Sequence, residues 1–351
     1  MRVLMVGVDE KRYGGMWTVA NNYIKNKKFN EKVDLDYVAT STNGNAFKRL
    51  FFMFKGFKKI KRILKNKKID IVHIHMAERG STFRKGHIAM MTKKKGCKVV
   101  VQLHAGPFMA WYNTLKESKK KKIVKIFECS DKVLVLGEYW KKELASIINP
   151  DKMEVLYNGV QIPNRNLFDI SSENIVYMGV LKREKGIYDL IDAIESINEK
   201  IPQNIKVLLC GNDLEGDIAA LIKEKKLENR IKLLGWIDEQ KRDDVYRKSL
   251  ISVLPSYFEA LSMTIIEAMS YGIPIITTNI STMREILGEK AMLVKPGNVK
   301  QLANSILKIV NDKEKLNEMS KDEYNIVCKK FSIENNIAQT LDIYSNLMES
   351  D

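Results

Sequence analysis

Short apolar runs alternate along this chain with longer stretches that carry an apolar residue every third or fourth position. The first kind predicts buried strands and the second predicts helices laid against them. R-V-L-M-V-G-V at 2–8 is the opening strand, and after Gly14 and Gly15 a helix is predicted from near Trp17 to about Lys27. Further strands are predicted at 69–76 (I-D-I-V-H-I-H-M), 98–103 (K-V-V-V-Q-L) and 131–136 (D-K-V-L-V-L), and a helix from about Tyr139 to Ile147 leads into M-E-V-L-Y-N-G-V. The pattern then lapses, and the loose segment 163–174 reads as a linker. It restarts with runs at 174–178, 206–210, 231–235, 250–254, 275–276 and 291–294, with helical stretches such as 217–224, 264–269 and 299–310 between and after them. Two successive strand and helix alternations predict an α/β protein with two doubly wound parallel sheets. The expected domains are 1–165 and 166–328, with 329–351 as a closing helix.

One helical stretch stands apart. Across 47–68, Phe47, Leu50, Phe51, Phe54, Phe57, Ile60 and Leu64 recur at helical spacing, while Lys48, Arg49, Lys55, Lys58, Lys59, Lys61, Arg62 and Lys65 fill the other face. Such a helix either covers a sheet and leaves its cations solvated or docks on an anionic membrane surface, and both can hold at once. The lysine run 119–122 opens a second basic helix. Residues 1–165 carry 35 Lys and Arg against 14 Asp and Glu, a balance of +21 that leaves −5 for the rest of a chain of net charge +16. The first half is therefore expected to meet something polyanionic: anionic lipid, a pyrophosphate-linked substrate or nucleic acid.

Composition bounds the class. With 351 residues, 45% of them hydrophobic, the chain can build two cores and is not disordered. Cys97, Cys129, Cys210 and Cys328 fit no metal or redox spacing and are expected to be reduced and mostly buried. Together with an N-terminus that reads as a strand and not a signal segment, this points to the cytoplasm. The longest uncharged run, 17 residues at 99–115, falls short of a membrane span.

The chemistry concentrates at 255–274, P-S-Y-F-E-A-L-S-M-T-I-I-E-A-M-S-Y-G-I-P. Following a strand and turning helical near Thr264, it places Glu259 in a loop and Glu267 about a turn into the helix, at the strand edge where open α/β sheets bind ligands. The backbone N–H groups of Leu261, Ser262, Met263 and Thr264 at the helix start make an anion site. A phosphate beside a carboxylate that accepts from sugar hydroxyls is a nucleotide-sugar arrangement; a capped surface helix with two solvated glutamates is the plain alternative. His73 and His75 share one strand face, but no carboxylate or third His lies near them in sequence. The Gly14–Gly15 pair is not a dinucleotide fingerprint, and a P-loop, a G-x-S-x-G elbow and an H-E-x-x-H helix are absent.

The stretch from Glu259 to Pro274 resembles the donor-site motif of retaining glycosyltransferases of family 4: Glu, seven residues, Glu, Ala, Met, a small residue, one more, Gly, a variable residue, Pro. Ala260 departs from it where the family usually has Gly. The resemblance implies that Glu259 lies at the donor sugar and that Glu267 holds the ribose hydroxyls. It extends to Lys185 and Gly186 in the diphosphate-gripping pattern G-R-L, three residues, K-G, although Val180 stands in place of the Arg and Arg183 is the nearest substitute. By the same resemblance, backbone near Trp236 and Ile237 reads the nucleobase, with a Trp packed in the core as the alternative. Gly15 belongs to a glycine loop facing the donor phosphate, and His104 is a strand-end histidine contacting the donor sugar, unless it is a satisfied structural histidine. Asn158, Gly159 and Val160 match the link between domains.

What the resemblance implies overall is a GT-B fold, two Rossmann-like domains facing a central cleft. The expected activity is retaining transfer of a sugar from a nucleotide-diphosphate donor, expected to be UDP-linked, to a hydroxyl of a glycan or polyprenyl-pyrophosphate-linked acceptor in cell-surface polysaccharide assembly. The site of action would be the cytoplasmic face of an anionic membrane. Glu259, His104 and Lys185 are the expected catalytic residues, with Arg183 and the helix start helping to stabilise the leaving diphosphate and no cofactor or metal required. The alternatives are another GT-B enzyme, an inverting transferase or a sugar-nucleotide epimerase, and a nucleic-acid binder built on the basic half. No RNA-binding motif supports the last.

Overall fold

The computed structural model describes residues 1–10, 14–104, 106–288 and 291–349. They divide into two units, Met1–Gly159 joined by Ile333–Asp351, and Val160–Ser332. The sequence pattern alone puts the divisions after 165 and 328.

In the first unit six strands, β1 (Arg2–Gly7), β2 (Asp34–Ala39), β3 (Ile71–Met76), β4 (Lys98–Leu103), β5 (Lys132–Val135) and β6 (Met153–Val155), form one parallel sheet in the order β2-β1-β3-β4-β5-β6. Helices cover both faces of such a sheet, so its inner strands read as unbroken apolar runs, and every residue of β3 is buried. β2 has no such run. As an edge strand it alternates, D-L-D-Y-V-A, and its aspartates pair outward, Asp34 with Arg2 at 3.4 Å and Asp36 with Lys67 at 2.7 Å. The closing helix Ile333–Glu349 belongs to this unit. Asn336 Nδ2 donates to the Tyr157 carbonyl at 2.6 Å, and Gln339 Nε2 to that of Val155 at 2.7 Å.

The basic helix spans Ala46–Asn66, and here the structure corrects the single apolar face read from the sequence. Gly56 and Ile60 are buried and Met53, Phe57, Ile63 and Leu64 half-buried, whereas Phe47, Leu50, Phe51 and Phe54 are exposed. The reason is where the helix meets the sheet. A Cβ on Gly56 would lie 2.7 Å from the Ala39 carbonyl oxygen at the end of β2, so contact is tightest mid-helix and the first two turns run past it.

The second unit repeats the plan with β7 (Asn174–Met178), β8 (Lys206–Cys210), β9 (Ile231–Gly235), β10 (Ser249–Leu254), β11 (Ile275–Thr278) and β12 (Met292–Val294), parallel in the order β12-β11-β10-β7-β8-β9. The helix Lys313–Lys330, not anticipated from the sequence, lies under β11, where its buried Glu323 accepts a hydrogen bond from the Ile275 N–H at 3.0 Å. Cys97 and Cys210 are buried, Cys129 and Cys328 half-buried, and all four are free thiols.

Candidate active site

β7 and β10 are neighbours whose connections leave in opposite directions, β7 toward β8 and β9, β10 toward β11 and β12. At such a switch point the loops beyond the strand ends part and open a crevice. The loops 179–186 and 255–262 stand there side by side, with the Tyr257 N–H donating to the Glu184 carbonyl at 3.0 Å. Gly186 permits this approach: its φ is 70°, and a Cβ would run into the Pro255 carbonyl.

The consequence is an ion pair between residues 74 positions apart, Lys185 Nζ and Glu259 Oε1, at 2.5 Å. Ser256 Oγ donates to the same oxygen at 2.8 Å. Glu259 is only 8% exposed, so the cation and the hydroxyl fix it in place. Its backbone is held too, by Thr282 Oγ1 donating to the Glu259 carbonyl at 3.0 Å and by Thr278 Oγ1 donating to that of Ser256.

Beyond Glu259 the helix Met263–Ser270 starts without a side-chain cap. Ser262 sits at the N-cap position, but its Oγ lies 3.3 Å from Thr264 Oγ1 instead of accepting from the first turn. The N–H groups of this turn, at the positive end of the helix dipole, therefore have no side-chain cap and could accept an anion. A turn further on, burial raises the Glu267 pKa above the ordinary glutamate value, opposed by Arg242, whose Nη1 lies 3.6 Å from Glu267 Oε2. Arg242 comes from the helix Glu239–Arg247 that follows β9. Nothing in the sequence singled it out, because the pair is made only by folding.

Other expected positions fall differently. Arg183 does not join Lys185 at Glu259. Its guanidinium stacks on Tyr188 at 4.1 Å and pairs with Glu215 at 3.3 Å, which draws it to the far side of its turn. Val180, in the motif Arg position, is 39% exposed. Trp236 is 52% exposed just past β9, which overturns the core-packing alternative, and Ile237 beside it is half-buried.

In the first unit Gly15 opens the helix Gly15–Lys25 and is exposed. His104, just past β4, is half-buried and ends a row of imidazoles. His73 and His75, two apart on one face of β3, stack at 4.8 Å between centroids, and His75 stacks on His104 at 5.1 Å. Tyr344 OH lies 2.5 Å from His73 Nδ1, and His75 Nδ1 lies 2.9 Å from His104 Nε2. Lys85, fully buried, donates its Nζ to the His75 carbonyl. Burial drives the pKa of His73 and of His104 down to about 3 and that of His75 well below its ordinary value, with Lys85 adding to the effect on His75 and His104. The rings are thus neutral. Among the described residues His75 Nε2 has no hydrogen-bond partner, and a bare buried acceptor is tolerated better than a bare N–H. That assigns the proton to His75 Nδ1, makes His104 Nε2 an acceptor, and leaves the Nδ1–H of His104 as a donor. Among the described residues no group of three or more His, Cys, Asp or Glu is placed to hold a metal ion.

Two family models match successive parts of the chain: Glycosyltransferase Family 4 over 24–162 and Glycosyl transferases group 1 over 161–326. The chain belongs to glycosyltransferase family 4.

This glycosyltransferase is 26% identical over 368 aligned positions to an uncharacterized glycosyltransferase of Methanocaldococcus jannaschii, covering 99% of both chains. It is also 26% identical, over 82% of its own length and 78% of the relative, to the Escherichia coli UDP-Gal:alpha-D-GlcNAc-diphosphoundecaprenol alpha-1,3-galactosyltransferase. Among solved structures the Anabaena protein HepE, determined in complex with UDP, superposes with a TM-score of 0.77 at 16% identity, covering 99% of this chain and 100% of that one. At such identity the likeness speaks for the fold, which is GT-B.

Proposed function

We propose that this glycosyltransferase moves a sugar, with retention of configuration, from a UDP-sugar to a hydroxyl of a polyprenyl-pyrophosphate-linked glycan during cell-surface polysaccharide assembly, at the cytoplasmic face of the membrane. The observation that carries the reading is the Lys185–Glu259 pair, 2.5 Å long, beside an uncapped helix start at the switch point of the second sheet. A diphosphate leaving group gathers negative charge as the glycosidic bond breaks. Lys185 and the N–H groups of the helix Met263–Ser270 supply fixed positive ends for that charge, and no metal is given a part. Glu259, fixed by Lys185 and Ser256, steadies the positive charge that develops on the sugar ring, and Glu267 receives the ribose hydroxyls. Support for the donor and acceptor comes from relatives: HepE was solved with UDP, and the E. coli enzyme is named for UDP-Gal and a diphosphoundecaprenol acceptor.

The test is a melting panel with UDP, GDP and their sugars on the protein and on Glu267→Ala, followed by incubation with a synthetic polyprenyl-diphosphate sugar. A ligand that binds only the folded state raises the melting point by mass action. UDP and one UDP-sugar should stabilise the protein and not the variant, and the product linkage should keep the donor's anomeric configuration by NMR. An inverted linkage, or conversion of the UDP-sugar with no acceptor present, would replace this reading with the inverting-transferase or epimerase one.

A further inference from the structure

The exposed stripe of the helix Ala46–Asn66 changes character along its length. Phe47, Leu50, Phe51 and Phe54, at i, i+3, i+4 and i+7, are 85, 50, 72 and 62% exposed. At 100° per residue they centre about 150° from the side centred on Gly56 and Ile60 that packs on β2, nearly opposite it. The same outward stripe continues through Lys58, Lys61 and Lys65, all exposed, with Arg62 beside them. The helix carries no acidic residue. Elsewhere in the described chain exposed large apolar side chains are scattered, but these four fall on two turns of one helix.

We propose that this helix is a membrane-insertion element, in which Phe47, Leu50, Phe51 and Phe54 enter the acyl boundary while Lys58, Lys61, Arg62 and Lys65 bind the phosphates of anionic lipid. An aromatic end followed by a cationic row on one face matches the layering of a bilayer surface, apolar below and anionic above. A second copy of this chain fits worse, because apposing two such faces sets the four cations Lys58, Lys61, Arg62 and Lys65 against the same four. Nucleic acid would meet the lysines and leave the phenylalanine end in water. No helix among the described residues is long and apolar enough to cross a membrane, so attachment here is to one leaflet. The proposal stands independently of the donor-site reading.

Flotation of the full chain with vesicles of phosphatidylcholine, alone or with about one quarter phosphatidylglycerol, tests it. The protein should float with the mixed vesicles and not with pure phosphatidylcholine. The combined Phe47→Ser, Phe51→Ser and Phe54→Ser variant should lose about tenfold or more of the bound fraction with an unchanged melting point, since these side chains are exposed. Lys58→Gln with Lys61→Gln and Lys65→Gln should lose binding in low salt, where the wild type keeps it. The indole introduced by Phe51→Trp should shift to shorter emission wavelength on the mixed vesicles. Unchanged flotation of the phenylalanine variant, an indole that stays in water, a lipid-free dimer dissolved by the serine substitutions, or retention on duplex RNA without vesicle binding would each overturn the proposal. UDP-induced stabilisation measured on the same variants separates loss of the anchor from loss of the donor site.

Discussion

Both sheets end in a buried polar cluster at their C-terminal edge, and the two clusters handle charge in opposite ways. In the second unit Glu259, 8% exposed, is kept beside a cation at 2.5 Å. In the first unit three histidines stacked at 4.8 and 5.1 Å stay neutral above a buried lysine. The difference bears on what each edge could meet. A charge buried in low dielectric persists only with a partner, and pairs of this kind are arranged where a ligand brings charge of its own. A neutral imidazole row can orient one N–H donor, that of His104, toward an uncharged group without attracting a diphosphate. On the proposed function the leaving group belongs to the charged edge.

The strongest way to break this comparison is to remove the cation. Lys185→Met should lower kcat/KM for sugar transfer about 10²–10³-fold, the scale of one preorganised charge-stabilising donor, about 2.7–4 kcal/mol. It should also lower the melting point, because a nearly buried carboxylate loses its partner. Adding Glu259→Gln should recover the melting point and none of the rate. Steady-state assays with a labelled donor and calorimetric melts of the three proteins decide it: a Lys185→Met enzyme of normal rate would show the pair to be structural.

Next in size is the neutral edge. His104→Asn should cost about tenfold in rate, as for one lost hydrogen bond of about 1.5 kcal/mol, without adding a titration between pH 5 and 8. The stability sign follows from the lowered histidine pKa values. The unfolded chain takes up protons near pH 6.5 while the folded His73 and His104 wait until about pH 3, so stability falls as pH drops through that window. Urea melts at several pH values should show a shallower loss in His104→Asn. A wild-type rate that titrates near pH 6.5 through His104 would erase the contrast between the edges. Val180→Arg sharpens it from the other side. With Arg183 turned to Tyr188 and Glu215, the new guanidinium should tighten UDP binding a few-fold by calorimetry.

Much of this was legible in the sequence for a physical reason: strands buried on both faces must be apolar runs, so β1, β3, β4, β7, β10 and β11 announce themselves. The edge strand β2, half charged, does not. The spacing of Glu259 and Glu267 and the glycine at 186 are local signals of a loop and helix start, and they were readable as such. What could not be read is whatever joins distant positions. The Arg242–Glu267 contact, the turning of Arg183 toward Glu215 and the linking of His75 to His104 follow from sheet order, which periodicity does not encode. The basic helix misled for a related reason. Its apolar residues all fall at helical spacing, but of the seven only those beyond Phe54 have a sheet to cover, and the sequence does not say where along the helix that contact begins.

The smallest effect tests whether burial alone decides charge, away from either site. Glu323 is fully enclosed under β11 and has a backbone partner, the Ile275 N–H at 3.0 Å, instead of a cation. Burial, with Asp322 adding to it, raises its pKa well above 4.5, against the opposing hydrogen bond. As pH rises past the unfolded glutamate value the unfolded chain gives up its proton and the folded one keeps it, so this residue subtracts stability at neutral and alkaline pH and nothing in acid. Glu323→Gln keeps an acceptor for Ile275 and removes the titration. It should raise the melting point by about 2–4 °C at pH 8 and leave it nearly unchanged at pH 4. Glu323→Ala should lower it at both, by orphaning a buried N–H at about 1–3 kcal/mol. If Gln gives no gain at pH 8, the carboxylate is not held neutral by its surroundings. The rule that separates the two edges would then be set by local partners and not by burial.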